Sequence, residues 1–181
     1  MLAVDLPAHG ERQGGATGFD PWHVVPELRL VLAYAQPRWG HIALRATSIG
    51  AWFSMQAFAG EPLERALFVS PVLDMEQLIR SMMLWAGVDE GQLQAEQEIA
   101  TDFGETLSWR YLRYAQENPI SNWAVHTAVL YPGGDNLTDR ATVEGFVRRF
   151  GCGLTVMEDG EHWFHTPKQL AVLQRWEEAQ A

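Results

Sequence analysis

The chain has 181 residues, 47% apolar and 20% charged, which suffices for one domain with a sizeable core and leaves little room for a second with its own core. Twenty-three acidic against 13 basic residues give a formal net charge of −10, which repels a phosphate backbone, so no nucleic-acid partner is expected. Apolar runs such as Leu30–Ala35 are far too short to span a bilayer, Met1–Gly10 carries Asp5 and His9 where a leader would be apolar, and the lone Cys152 precludes an internal disulfide. No membrane association is expected, and the cytoplasm is the expected compartment.

In chain order, Leu2–Asp5 reads as a first strand. Asp20-Pro21 then opens a helix with apolar positions at Val24, Leu28, Val31, Leu32 and Ala35, and Pro26 either kinks it or marks its true start. His41–Ala46 is the next strand, followed by a helix ending near Gly60. Ala66–Val69, His126–Tyr131 and Leu154–Met157 complete the set of five strands. Val143, Phe146, Val147 and Phe150 fall at helical spacing and Gly151 caps that helix. Thr166-Pro167-Lys168-Gln169 is a capping box with proline at the first helical position, and Leu170, Leu173 and Trp176 form the inner face of the final helix. Short strands alternating with longer helical segments predict an α/β domain: a mostly parallel sheet of about five strands with helices on both faces.

Residues 75–118 interrupt this rhythm. A crossover between parallel strands needs about a dozen residues, and this one has over forty, so an inserted helical cap is expected within the single domain 1–181. It gathers Met75, Leu78, Ile79, Met82, Met83 and Trp85, then Phe103, Leu107, Trp109, Tyr111 and Tyr114. Methionine-rich apolar surface adapts to ligands of varied shape, so Met82 and Trp85 are candidate substrate-binding residues. The alternative is that these side chains only pack the insertion onto the sheet.

The chemistry concentrates at three places. Ala46-Thr47-Ser48-Ile49-Gly50 lies between a strand and a helix, with small residues two before and two after the serine, as a strained and crowded nucleophile turn requires. Asp135 follows the strand His126–Tyr131 in the loop Pro132-Gly133-Gly134-Asp135, and His162 follows the last strand in Gly160-Glu161-His162-Trp163-Phe164. Serine, acid and histidine thus occur in the order that a strand-to-helix serine triad uses. Ser48 would attack, His162 would move the proton, and Asp135 would orient the imidazole. Each residue alone has an ordinary reading as a helix cap, a turn residue or a helix-entry residue. Asp74, in Ser70-Pro71-Val72-Leu73-Asp74, is the rival acid. His162 and His165 have helical spacing but no carboxylate or cysteine placed to complete a metal site, so no metal and no cofactor are expected. Cys152 reads as a structural residue beside a buried strand.

At these residues the chain resembles the α/β-hydrolase fold family, with Asp5-Leu6-Pro7-Ala8-His9-Gly10 similar to its D-x-P-G-H-G turn and Gly160–Phe164 similar to its histidine loop. The resemblance implies serine-dependent hydrolysis of an ester, thioester or amide, with the N–H of Ile49 as an oxyanion donor. It also implies about eight strands, of which Leu2–Asp5 would be the fourth. The amino-terminal strands, and the loop giving a second oxyanion donor, are therefore expected to be missing. Two alternatives stand beside the hydrolase: an impaired fragment or non-catalytic interaction module, and a lyase or carbon–carbon hydrolase on the same fold. A small neutral or acyl-bearing substrate is the expected partner, with self-association through an exposed sheet region as a further expectation.

Overall fold

The computed structural model describes residues 1–15 and 17–180. After a short turn of 3-10 helix at Gly10–Arg12 the elements run α1 (Pro21–Ala35), β1 (Ala43–Thr47), α2 (Ile49–Phe58), β2 (Arg65–Val69), α3 (Met75–Ala86) and α4 (Glu90–Glu96). A ribbon of β3 (Glu98–Ala100) and β4 (Thr106–Ser108) follows, then α5 (Trp109–Glu117), β5 (Thr127–Pro132), α6 (Arg140–Phe150), β6 (Gly153–Met157) and α7 (Pro167–Ala179). The main sheet has the order β1-β2-β5-β6 with every neighbouring pair parallel. All four carboxyl ends therefore open at one edge, where loops from different strands can converge on a site.

The pleat divides the strand side chains between two cores. Ala66 and Phe68 of β2 and Val129 and Tyr131 of β5 join one large core with α1, α2, α3, α5 and α6. Val69 and Leu130 turn the other way onto Trp176 of α7, with Leu67, Ala128 and Leu173 packed around them. This is the outcome of a strand order that advances in one direction: crossovers of one hand put every connecting helix on the same face. Among the described residues only α7, after the last strand, covers the other. Phe53 and Phe68, both fully buried, contribute about 1.5–3 kcal/mol each through removal from water.

Local sequence sets the helix ends. Asp20 caps α1 by accepting the His23 N–H at 3.0 Å, so this helix starts at Pro21 and Pro26 lies inside it. Asp139 caps α6 and Gly151 ends it in the left-handed conformation. Thr166 and Gln169 form the reciprocal capping box of α7.

Four expectations are corrected. Leu2–Asp5 forms no strand, so the main sheet has four strands rather than five: a strand requires ladder partners, and instead the Asp5 carboxylate turns back to accept the Glu11 N–H at 3.0 Å. The segment 75–118 is not all helical, because Glu98–Ala100 pairs antiparallel with Thr106–Ser108. Leu170 is exposed, and the inner face of α7 is carried by Gln169, Leu173 and Trp176. Gln169 is inside because its side-chain oxygen accepts the N–H groups of His165 and Thr166. Finally, a Cβ at Gly50 would meet no heavy atom within 4 Å, so the crowding expected around the Ser48 turn is not present there. Among the described residues no helix is long and apolar enough to cross a membrane.

Candidate active site

Ser48 stands between β1 and α2, and the end of β2 together with the segment after it grips its peptide from both sides. Its N–H donates to the Val69 carbonyl at 3.0 Å, and its carbonyl accepts the Val72 N–H at 3.1 Å. The chain must pass from extended strand to helix within one residue, and Ser48 does so at φ 53°, ψ −129°. A side-chain-bearing residue in such a region costs on the order of 1–3 kcal/mol and persists only where its surroundings enforce it. The two flanking backbone bonds provide that enforcement.

His162 lies on the loop after β6, with its ring buried. Its Nε2 is 2.8 Å from Ser48 Oγ and its Nδ1 is 2.9 Å from Asp135 Oδ2. The Asp135 side chain is wholly buried. An ionised carboxylate can only accept, so Nδ1 carries the proton and donates to Asp135. Nε2 is left with a lone pair that accepts the Ser48 hydroxyl proton. The second carboxylate oxygen, Oδ1, accepts the N–H groups of Leu137 at 2.8 Å and Thr138 at 3.2 Å, which fixes the carboxylate plane. The acid and histidine loops are joined by backbone bonds from Gly133 N–H to Met157 O at 2.8 Å and Gly134 N–H to Gly160 O at 2.9 Å.

The other candidates lie as follows. Ile49 is the first residue of α2, so its N–H has no carbonyl partner within the helix and sits at the positive end of the helix dipole, next to Ser48. Met82 is half-buried against the large core, and the exposed Trp85 meets Phe103 edge-on at 6.1 Å. Asp74 is occupied as the cap of α3, accepting the Gln77 N–H at 2.9 Å. His165 turns its Nδ1 to the Trp163 carbonyl at 2.8 Å. Cys152 is half-buried, and burial pushes its thiol up to about 11. Among the described residues no group of three or more His, Cys, Asp or Glu side chains comes together in a way that could hold a metal ion.

Two residues outside the sequence reading belong to this neighbourhood. Ser70 follows β2 as Ser48 follows β1, also with positive φ (46°), and it is fully buried with no hydrogen-bond partner for Oγ among the described residues. Thr138 is buried, and its hydroxyl donates to the Pro71 carbonyl at 3.0 Å. The pattern Asp135-Asn136-Leu137-Thr138, an aspartate followed by residues whose N–H groups it can accept, was the available signal for Thr138.

The chain matches no protein-family model, and no curated protein matches it in sequence. Solved structures do resemble it. Est1E from Butyrivibrio proteoclasticus, bound to ferulic acid, has a TM-score of 0.75 at 19% identity over 96% of this chain and 74% of its own. Alpha/beta hydrolase domain-containing protein 10 from mouse gives 0.72 at 12% identity, over 97% of this chain and 75% of its own. A monoglyceride lipase variant from Saccharomyces cerevisiae, in complex with a substrate analogue, gives 0.63 at 13% identity, over 97% and 75%. At these identities the likeness defines the architecture, and the chain has the α/β-hydrolase fold.

Proposed function

We propose that this chain with the α/β-hydrolase fold is a serine-dependent hydrolase that cleaves an ester, thioester or amide through an acyl-enzyme. The observation that carries the reading is the continuous hydrogen-bonded line from Ser48 Oγ through both nitrogens of His162 to the buried Asp135 carboxylate, with the serine in a strained turn at a strand's carboxyl end. That one of the similar structures is a monoglyceride lipase supports the same class.

In this reaction Ser48 Oγ bonds to the acyl carbon as its proton passes to His162 Nε2. Asp135 stabilises the imidazolium, and the oxyanion charge meets the Ile49 N–H at the head of α2. The bond to the leaving group then breaks as Nε2 protonates the departing oxygen, sulfur or nitrogen. A water molecule, giving its proton to Nε2, attacks the acyl carbon, releases the acid and restores Ser48.

The segment 75–118 acts as a cap on the acyl side of the Ser48 site, with Met82 and Trp85 as its candidate substrate contacts. Its apolar content suits a neutral or acyl-bearing small molecule, and the net charge of −10 disfavours polyanions. Turnover of p-nitrophenyl butyrate tests the reading. The wild-type chain should show saturable release, and Ser48→Ala should fall to the buffer rate. Equal rates from the two proteins would overturn it.

A further inference from the structure

The Asp135 loop and the Ser48 turn are separated in the sequence by two strands of the main sheet, β2 and β5, yet a second route besides His162 joins them. It begins at the Ser48 peptide, whose N–H and carbonyl are held by Val69 and Val72 at 3.0 and 3.1 Å. Between these two residues lies Ser70-Pro71, with Ser70 at φ 46° and its N–H donated to the Leu130 carbonyl at 2.9 Å. The Pro71 carbonyl accepts the Thr138 hydroxyl at 3.0 Å, the Thr138 N–H donates to Asp135 Oδ1 at 3.2 Å, and the Thr138 carbonyl accepts the Tyr131 hydroxyl at 2.9 Å. Asp135 Oδ2 then returns through His162 to Ser48 Oγ. The links close a ring through the Thr138 hydroxyl and N–H, while its carbonyl is held from outside the ring by the Tyr131 hydroxyl.

Threonine is suited to this place. Its hydroxyl is its one side-chain polar group, and at 5% exposure that group is buried with its bond to the Pro71 carbonyl made. Without the hydroxyl, the Asp135 loop keeps its internal turn bonds but loses this side-chain tie to the segment that grips the nucleophile.

We propose that Thr138 is a positioning residue that couples the acid loop to the Ser48 turn through the Pro71 carbonyl, holding the distance between Asp135 and Ser48 that the His162 imidazole has to span. This rests on the hydrolase reading above. Thr138 touches no reacting atom. It acts by keeping both ends of the imidazole within hydrogen-bond reach at once, a requirement in which displacements of about 1 Å can cost 10²-fold in rate.

The test compares wild type, Thr138→Val and Thr138→Ser by three measurements: the rate at which a fluorophosphonate labels Ser48, the far-downfield proton resonance of His162 Nδ1–H, and the thermal midpoint. Valine keeps the shape and deletes the hydroxyl, whereas serine restores it. Thr138→Val should slow labelling by about 10- to 100-fold and lose or broaden the Nδ1–H resonance, and Thr138→Ser should recover both. A valine variant with wild-type labelling and resonance overturns the proposal, whatever its melting point. So does a serine variant as impaired as valine. The resonance needs no turnover, so it separates the two claims. If the wild type is not labelled at Ser48, the hydrolase reading fails, while the resonance still decides the coupling: loss in valine with recovery in serine supports it, and no change in valine, or no resonance in the wild type, overturns it.

Discussion

Gly133, at the start of the acid loop, lies so close to Glu158, at the start of the histidine loop, that a Cβ added to it would stand 2.6 Å from the Glu158 carbonyl oxygen. The contact is backbone against backbone, so no side chain can rotate away to relieve it. Gly133→Ala should force the two loops apart, destabilising the fold by about 1–3 kcal/mol and separating Asp135 from His162. Turnover of p-nitrophenyl butyrate should fall further than this loss of stability accounts for. Unchanged turnover and an unchanged melting point would contradict the packing described.

The backbone strain at Ser48 predicts a trade of stability against activity. Glycine adopts positive φ without penalty, while alanine keeps the strain of serine. Ser48→Gly should therefore be about 1 kcal/mol more stable than Ser48→Ala, a rise of about 2–4 °C in melting temperature for a chain of this size, with both variants inactive. An alanine variant melting at or above the glycine variant would contradict the strain.

Much of the fold was legible in the sequence because β1, β2, β5 and β6 are short apolar runs between turn residues, and because α6 and α7 announce their caps. The segment Leu2–Asp5 shows why legibility stops: apolar content says that a stretch can be a strand, but not whether a ladder partner exists. The ribbon Glu98–Ala100 with Thr106–Ser108 escapes because three residues per strand set up no period. The juxtaposition of Ser48, Asp135 and His162 follows from their positions at the carboxyl ends of parallel strands. Thr138 could not be found that way, since its partner Pro71 is 67 residues distant in the chain.

Cys152 should be a poor nucleophile. Burial raises its thiol from 9.0 to about 11, so at pH 8 the thiolate fraction is about 100-fold smaller than in an unshifted thiol. Iodoacetamide should alkylate the native chain slower than the urea-unfolded chain by about that factor, and the two rates should converge once denaturant exposes the residue. Equal rates would contradict the buried placement.

The α6 cap should make stability depend on acid pH. The Thr142 N–H, at 2.7 Å, is the largest of the influences holding the Asp139 carboxyl below the usual range. A lowered folded value means that the contribution is present above the unfolded value, about 3.9, and is lost as pH falls through the folded one. Asp139→Ala should cost about 0.5–2 kcal/mol at pH 7 and progressively less below pH 4 in urea melts. A deficit that stays constant down to pH 2 would contradict this assignment.

In the proposed hydrolysis Ser48 is the nucleophile and His162 activates it. Incubation with a fluorophosphonate, followed by digestion and mass mapping of the adduct, tests this directly. A single adduct on Ser48 is expected, absent in Ser48→Ala, and suppressed in His162→Ala about as strongly as in the double variant, because members of such a unit do not contribute additively. Labelling that persists in Ser48→Ala, or proceeds at the wild-type rate in His162→Ala, would contradict it.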